Sequence, residues 1–570
     1  MLSKTAFLAI TAFLVGAQAN ACPPTGRTLP PSQAPRDSPV VKETLQRIKE
    51  SLTTFTSTPD LNATAIAIGI KTVQEDSPLF EFYHSPAVAE ASSAKEVTID
   101  TVFRGGSITK LFTVLAALQS ADIQFTDPVT KYLPGLKKDV VKAEAGASFN
   151  HIPWDNITVE DLASHVSGVG GDIATDLAVF TQGKGALGLP DVANETRPTC
   201  SGFGTTSPCT TDDLIAAVNK KPPVFRPHTT PIYSNIGIAL LGAIVEAATN
   251  KSLEDALQES ILKPLGLTNT SISGPESDAW GFIPKGELTW GGSLGVFAGA
   301  GGIYTNTRDM LSFGTAVLSN KLHIDSNSWL KPRGFTISPG YAIGAPWEIF
   351  TSTTLLPSGL PVRIFTKTGD LGSYSNVLLL VPDYDITISI LTAGPAADKL
   401  FFPTKVISPV VAALIPALEA ANKEAAAKTL AGTYADPSTN STLTLALDDE
   451  PGLSLRDLVV RNVDVLPNLP NYSTSPSEKT YNVTARLYPT NVREGESWSW
   501  RAVYKNHDDD EIRDDVFYPE GSCPWGFTDR TTYDYLALDD FVLTVGDDGA
   551  AKSISPRPFG VTLNRVEPCA

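Results

Sequence analysis

Three short segments of this chain carry residue types suited to nucleophilic catalysis. In chain order they are Ser107-Ile108-Thr109-Lys110, Tyr233-Ser234-Asn235 and Lys367-Thr368-Gly369. A serine hydroxyl becomes a nucleophile when a neighbouring base removes its proton, and lysine and tyrosine side chains can both act as that base. Together the segments predict acyl transfer through a covalent intermediate on Ser107.

The pattern Ser-x-x-Lys alone does not identify the nucleophile, because it begins at four serines: Ser92, Ser107, Ser260 and Ser328. Ser107 is the one that follows the glycine pair Gly105-Gly106 and precedes a long apolar helical pattern. Glycines permit the sharp turn that places a serine at a helix N-terminus, where backbone N–H groups favour a developing negative charge. Lys110 lies one helical turn later, so it shares a face with Ser107.

Two residues are candidate bases. If Lys110 is buried near Lys367, desolvation and the like charge lower its pKa, and its amine can act as a base toward Ser107 or toward Tyr233. Tyr233 precedes an apolar helical pattern that starts at Asn235, so its phenol can point from a loop into a cleft. Once deprotonated, the phenol can take the Ser107 proton and later activate a water. The residues leave both assignments open.

Substrate binding and oxyanion stabilisation are assigned to five residues: Asn235, Lys367, Thr368, Gly369 and Asp370. The Asn235 amide can donate a hydrogen bond to a substrate carbonyl or to Lys110. The third segment follows a strand-like run, and the missing side chain at Gly369 would let a substrate lie along the strand edge. The backbone N–H groups of Asp370 and Ser107 are the expected oxyanion pair.

The elements that must position these residues follow from hydrophobic periodicity. Apolar residues at helical spacing predict helices over 40–57, from 107 onward, and over 212–219, 235–248, 253–262 and 403–428. Short β-branched runs predict strands over 64–71, 79–83, 362–365, 377–381 and 386–391. After residue 429, short strand-like runs alternate with acidic turns, which predicts an all-β domain. The expected organisation is a signal peptide over 1–21, a proline-rich lead-in over 22–39, a catalytic domain over 40–428 and a β-rich domain over 429–570.

Four further segments surround the three motifs and make the combined pattern specific to one kind of protein. They are Asp100 to Gly106 before the nucleophile, Asp-Pro-Val-Thr-Lys-Tyr-Leu-Pro at 127–134, Ser-His-Val-Ser-Gly at 164–168 and Lys-Pro-Leu-Gly-Leu at 263–267. With them, residues 40–420 resemble the serine β-lactamase and penicillin-binding-protein family, and Tyr-x-Asn resembles its branch of class C β-lactamases, D,D-peptidases and related esterases. The resemblance implies an antiparallel sheet flanked by helices, with an all-helical lobe and the site between them. The C-terminal region resembles the appended β domains of some secreted fungal members.

One departure from the family pattern bears on the substrate. Asp370 follows the third motif and places a carboxylate near the expected oxyanion region, which discourages anionic substrates. The substrate itself stays open among esters, D-amino-acid amides, β-lactams and thioesters. A catalytically silent binding protein on the same fold is the alternative function. The intact set of Ser107, Lys110, Tyr233 and Lys367 favours an enzyme.

Composition and charge exclude several kinds of partner. Hydrophobic residues make up 42% of the 570 residues and charged residues 19%, which is typical of globular proteins. The net charge of −18 argues against nucleic acid and anionic membranes. No segment has the uninterrupted apolar length of a membrane span, and no cysteine has metal-ligand spacing. We therefore expect a small-molecule substrate with an acyl group and no cofactor or metal.

The N-terminus is typical of a secretory signal: Lys4 precedes an apolar run over 6–15 and small-x-small cleavage sites. We therefore expect a secreted, extracellular glycoprotein. Its candidate glycosylation sites are Asn62, Asn156, Asn194, Asn250, Asn269, Asn440, Asn471 and Asn482. Disulfides are the default for cysteines in such a protein, and the preferred pairs are Cys200–Cys209 and Cys523–Cys569, with Cys22 left over.

Overall fold

The computed structural model describes residues 23–58, 61, 63–136, 149–173, 176–178, 188–190, 192–193, 200, 208–395, 402–477, 479–509 and 524–566. Their contacts define two compact units. The larger comprises the described residues of Gln33–Ser352 and Val362–Leu418, and the smaller those up to Ser32, Thr353–Pro361 and those from Glu419 onward. The predicted signal peptide and Cys22 lie outside the described residues.

Eleven α-helices are present among the described residues. They are α1 (Pro39–Thr56), α2 (Thr109–Gln119), α3 (Val159–Ala163), α4 (Thr211–Val218), α5 (Asn235–Thr249), α6 (Leu253–Leu257), α7 (Lys263–Leu265), α8 (Ala298–Gly301), α9 (Thr307–Leu318), α10 (Ser326–Trp329) and α11 (Phe402–Thr429). Helices α2 and α5 are apolar on nearly every face because both are core helices, and each packs against the other and against α8. They form the centre of the helical part of the larger unit.

The larger unit also contains ten strands. They are β1 (Ala65–Thr72), β2 (Phe80–His84), β3 (Phe103–Arg104), β4 (Tyr304–Thr305), β5 (Gly334–Phe335), β6 (Tyr341–Ile343), β7 (Glu348–Ser352), β8 (Val362–Leu371), β9 (Tyr374–Val381) and β10 (Ile386–Ala393). Eight of them form one antiparallel sheet in the order β2-β1-β10-β9-β8-β7-β6-β5, while β3 pairs with β4. Strands β9 and β10 are buried along their whole length, and α9 packs on β10 and β1. The sheet is therefore covered by helices where its centre is most apolar.

Eleven strands make up the sheets of the smaller unit. They are β11 (Gly432–Asp436), β12 (Ser441–Ala446), β13 (Leu453–Val460), β14 (Val463–Asp464), β15 (Val483–Glu494), β16 (Ser497–Asn506), β17 (Thr532–Tyr533), β18 (Leu536–Ala537), β19 (Asp540–Val545), β20 (Ala551–Pro556) and β21 (Leu563–Arg565). The order β12-β11-β21-β20-β19-β16-β15-β13 closes on itself because β13 also pairs with β12. Closure removes exposed sheet edges and encloses a core around Tyr434, Trp500 and Phe541.

The predicted fold class is confirmed: an antiparallel sheet and helices come first, and a barrel-like all-β region follows. Two details differ from the expectations. The third motif lies inside a ten-residue strand, β8, and not after it, because pairing of β8 with β9 continues through Lys367 and Gly369 to Leu371. The proline-rich lead-in is also not merely extended, since Leu29 is buried in the core of the smaller unit.

Helix α11 contains a 25-residue stretch, Lys405–Thr429, that by length and composition alone is apolar enough to cross a membrane. Half of its most apolar window is buried inside the protein, as in ordinary core helices, so the stretch is weak support for a span. The bent pair of Asn235–Thr249 and Leu253–Leu265 passes the same test with a 79° angle at its break.

Candidate active site

The nucleophile turn places Ser107 at the start of α2. Gly106 has φ of +55°, a left-handed conformation that glycine adopts without strain, and it opens a 3-10 turn over Gly106–Ile108. The turn is held by Thr109, whose Oγ1 donates to the Gly106 carbonyl at 2.6 Å. Ser107 is half-buried at the end of a buried helix. The expected glycine-dependent entry into the helix is therefore present.

Lys110 lies under the nucleophile. Its side chain is fully buried, and Nζ donates to Ser107 Oγ at 2.9 Å and to the Ala300 carbonyl at 2.5 Å. Burial is the largest influence on the ammonium group and lowers its pKa, and the charge of Lys367 acts in the same direction. Lys110 is thus a base candidate within hydrogen-bond distance of the hydroxyl it would deprotonate.

Tyr233 lies between the two lysines of the site. Its ring centroid is 5.0 Å from Lys110 Nζ and 5.0 Å from Lys367 Nζ, while 42% of the residue's surface stays exposed to the cleft. Burial of the phenol end opposes its ionisation, but the charges of Lys110 and Lys367 and hydrogen bonds from Lys110 and Ser107 outweigh that effect and lower the pKa of Tyr233. The phenol is therefore a second base candidate in contact with Ser107.

The backbone around Tyr233 is held by the helix that follows it. Ser234 is the N-cap of α5, and its Oγ accepts from the Gly237 N–H at 2.8 Å. The Ser234 N–H donates to His165 Nδ1 at 3.2 Å, and the His165 ring lies 4.8 Å from the Tyr233 ring. Burial, reinforced by both lysines, holds the pKa of His165 well below its usual range. His165 is therefore a neutral positioning residue for Tyr233.

Asn235 reaches a carboxylate that the sequence analysis did not identify. Its Nδ2 donates to Asp172 Oδ2 at 3.1 Å, whereas the expected partners were a substrate carbonyl or Lys110. The backbone N–H of Asn235 donates to the Gly171 carbonyl at 2.8 Å, so both groups tie the start of α5 to the same loop. Asn235 thus begins α5 two residues after Tyr233, with its amide engaged by Asp172.

Lys367 and Thr368 share a carboxylate on the neighbouring strand. Lys367 Nζ donates to Glu348 Oε1 at 2.5 Å, and Thr368 donates to Glu348 through its N–H and its hydroxyl, each at 3.0 Å. Burial opposes the charge of Lys367 most strongly, but the Glu348 carboxylate together with Tyr233 and Tyr341 outweighs burial and raises the pKa of this ammonium group. Lys367 is therefore a permanently charged group, in contrast to Lys110.

The backbones of the nucleophile turn and of β8 touch at two glycines. A Cβ on Gly369 would lie 2.1 Å from the Gly105 carbonyl oxygen and 3.1 Å from the Ser107 nitrogen. A Cβ on Gly106 would lie 2.8 Å from the Asp370 nitrogen. The N–H groups of Ser107 and Asp370, the expected oxyanion pair, are therefore adjacent. The absent side chain at Gly369 serves this backbone contact, where the sequence had suggested room for substrate.

The preferred pair Cys200–Cys209 is present as a disulfide, with Cα atoms 5.1 Å apart. The Cys209 carbonyl accepts from the Val296 N–H at 2.9 Å, in the segment that leads into α8 and the carbonyl of Ala300. The proposed partners Cys523 and Cys569 lie outside the described residues. So do the sequons at Asn62 and Asn194.

The other candidate glycosylation sites are surface residues to different degrees. Four are exposed: Asn156, Asn250, Asn440 and Asn482. Asn269 and Asn471 are half-buried. Among the described residues, no group of three or more His, Cys, Asp or Glu side chains is arranged to hold a metal ion.

Three functional groups escaped the sequence analysis: Glu348, Asp172 and the carbonyl of Ala300. Each reaches its partner from a distant part of the chain, 19 residues in the case of Glu348 and Lys367, 63 for Asp172 and Asn235, and 190 for Ala300 and Lys110. No motif spacing contains such pairs. The only available signal for Glu348 was an acidic residue in an apolar strand-like run, Trp347-Glu348-Ile349.

Comparisons with known proteins identify the family of both regions. A family profile described as Beta-lactamase matches residues 75–403, more than half of the chain, and one described as Beta-lactamase-like-like, C-terminal domain, matches residues 422–567. The probable hydrolase clz13 of Cochliobolus lunatus is 28% identical over 535 residues, which cover 86% of this chain and 83% of that protein. A beta-lactamase-like protein of Arthroderma benhamiae is 26% identical over 513 residues, 85% of this chain and 84% of that protein.

A solved structure with a similar chain is the class C beta lactamase from Rhodobacter sphaeroides, with 19% identity, a TM-score of 0.46, and coverage of 65% of this chain and 98% of that chain. The family suggested by the resemblance is confirmed by the profile matches over both regions. The chain belongs to the beta-lactamase family.

Proposed function

We propose that this protein is a secreted serine hydrolase or acyl-transferase that acts through an acyl-Ser107 intermediate. The observation that supports the proposal most directly is the 2.9 Å contact between Lys110 Nζ and Ser107 Oγ, with the Tyr233 ring 5.0 Å from the same nitrogen. Secretion rests on the signal-like N-terminal sequence.

In the acylation step, Ser107 Oγ forms a bond to the substrate carbonyl carbon, and its proton passes to the Lys110–Tyr233 pair. The N–H groups of Ser107 and Asp370 stabilise the oxyanion of the tetrahedral intermediate. The bond to the leaving group then breaks, and the same pair returns the proton to the departing oxygen, nitrogen or sulfur. Water, or an acceptor in the transferase case, gives a proton to the Lys110–Tyr233 pair and forms a bond to the acyl carbon. The bond between that carbon and Ser107 Oγ then breaks, and the pair returns the proton to Ser107 Oγ.

The reaction type accommodates esters, amides, lactams and thioesters, and the Lys110–Tyr233 pair serves each of them. Lys110 is the buried partner and Tyr233 the cleft-facing partner, so Tyr233 is the group nearer to a leaving atom or an incoming water. The charge of Lys367 lowers the pKa of both residues and so favours the deprotonated pair.

A covalent probe tests the proposal. The purified protein is treated with a fluorophosphonate, and the modified residue is located by mass spectrometry of peptides. We expect a single adduct on Ser107, none in Ser107→Ala, and a fall in ester turnover on the order of 10²-fold or more in Tyr233→Phe.

The matched control is Ser92→Ala, which removes an exposed serine of another Ser-x-x-Lys segment and should keep full labelling. Folded protein without a Ser107 adduct would refute the proposed function. Near-full turnover in Tyr233→Phe would assign the base role to Lys110 alone.

A further inference from the structure

Glu348 is a carboxylate built into the site by strand pairing. It lies on β7 opposite Thr366, one residue before the third motif on β8, and only 13% of its side chain is exposed. Its Oε1 accepts from Lys367 Nζ at 2.5 Å and from Thr368 Oγ1 at 3.0 Å. Its Oε2 accepts from the Thr368 N–H at 3.0 Å and from Thr366 Oγ1 at 3.2 Å.

These contacts use the donors that the third motif would otherwise offer to an anion. The hydroxyl and the N–H of Thr368 each have one hydrogen, and both are directed at Glu348. The Lys367 ammonium donates to Glu348 and to the Thr368 carbonyl at 3.0 Å, and it also faces the Tyr233 ring. An incoming carboxylate would have to displace a buried, charge-assisted set of hydrogen bonds.

The charge of the surroundings acts in the same direction. Lys367 is neutralised by Glu348, and burial disfavours the charge of Lys110. Two more carboxyl groups lie on the segments that carry the site: Asp370, half-buried and accepting from Ser375 Oγ at 2.5 Å, and Asp172, which accepts from the Asn235 amide. With Glu348, these segments hold three carboxyl groups, which disfavour a negative charge on the acyl group.

We propose that Glu348 is a specificity-determining residue that restricts Ser107 to acyl groups carrying no negative charge near the reacting carbonyl. The inference rests on the proposed function, because it concerns the substrate class of the same nucleophile. Glu348 occupies Lys367 and Thr368 with a carboxylate of the protein itself. The substrate class is thus a neutral ester, amide or thioester.

Two 4-nitrophenyl esters of equal shape and different charge test this inference. The neutral ester is 4-nitrophenyl 4-methylpentanoate. The anionic ester is 4-nitrophenyl hydrogen succinate, whose carboxylate replaces the terminal isopropyl group. We expect wild-type kcat/KM, after subtraction of uncatalysed hydrolysis, to favour the neutral ester by about tenfold or more. In Glu348→Gln, which keeps the shape and removes the negative charge beside Lys367 and Thr368, that preference should shrink by about tenfold or more.

Glu254→Gln is the matched control. Glu254 is also a carboxylate that accepts backbone hydrogen bonds, from Ile272 at 2.6 Å and Ser273 at 2.9 Å, but it has no contact with the nucleophile or its lysines. Its substitution should leave the preference unchanged. Circular dichroism of each variant verifies folding, and if Glu348→Gln does not fold, the wild-type preference alone decides.

Equal turnover of the two esters by the wild-type protein, or an unchanged preference in folded Glu348→Gln, overturns the inference and leaves the proposed function standing. Absence of turnover of both esters together with absence of a Ser107 adduct overturns the proposed function, and the inference with it.

Discussion

Gly369→Ala tests whether the contact between β8 and the nucleophile turn creates the oxyanion site. The added Cβ would lie 2.1 Å from the Gly105 carbonyl oxygen, a backbone atom, whereas carbon and carbonyl oxygen normally approach to about 3.3 Å. The two backbones must therefore separate by roughly 1 Å, which moves the N–H groups of Ser107 and Asp370 apart. A misplacement of about 1 Å lowers turnover on the order of 10²-fold, and overpacking lowers the free energy of unfolding by about 1–3 kcal/mol.

The assay is kcat/KM for a neutral chromogenic ester, measured with the midpoint of thermal unfolding on the same samples. Gly291→Ala is the matched control, because a Cβ at that glycine meets no atom within 4 Å. We expect a loss on the order of 10²-fold in Gly369→Ala and activity near the wild-type value in Gly291→Ala. Wild-type kcat in folded Gly369→Ala would refute the argument, since it would show that catalysis tolerates separation of the two segments.

Two further predictions concern pH and the disulfide. Activity should rise with pH as the Lys110–Tyr233 pair loses its proton, with an apparent pKa below the value of about 10 for free tyrosine, and Lys367→Met should move that pKa upward because Lys367 lowers the pKa of both groups. A pH profile that is unchanged or moved downward in Lys367→Met would contradict this. Replacing both Cys200 and Cys209 by serine should lower the free energy of unfolding by about 3 kcal/mol, measured by denaturant titration, and an unchanged midpoint would count against a staple role.

Residues within one helical turn were predictable from the sequence. Ser107 and Lys110 are three residues apart, so the geometry of α2 alone brings them together once Gly106 supplies the left-handed turn. The same holds for Ser234, whose position before an apolar helical pattern identifies an N-cap. Local stereochemistry determines these features, and they account for the position of Ser107 and for the turn that leads into α2.

Partners supplied by strand register could not be predicted in that way. Glu348 reaches Lys367 because β7 and β8 pair with Glu348 opposite Thr366, and a shift by one residue would turn Glu348 to the other face of the sheet. The end of β8 was misjudged for a related reason. The strand-like run in the sequence ends at Phe365, before the third motif, but pairing with β9 continues through Leu371. Register is a property of the whole sheet, and short motifs do not encode it.

The two lysines of the site differ in pKa because only Lys367 is paired with the Glu348 carboxylate. Both are fully buried and both lie 5.0 Å from the Tyr233 ring, and burial lowers the pKa of each. At Lys367 the Glu348 carboxylate together with the two tyrosines outweighs burial. The hydrogen-bond acceptors of Lys110 include the neutral Ser107 hydroxyl and Ala300 carbonyl, and burial prevails there.

Like groups whose surroundings move their pKa values in opposite directions take different roles in proton transfer. In the proposed mechanism, Lys110 exchanges a proton with Ser107, and Lys367 remains a fixed charge that lowers the pKa of Tyr233. The ion pair with Glu348 then has two effects in that proposal. It keeps Lys367 charged during proton transfer, and it makes the same charge inaccessible to an anionic ligand.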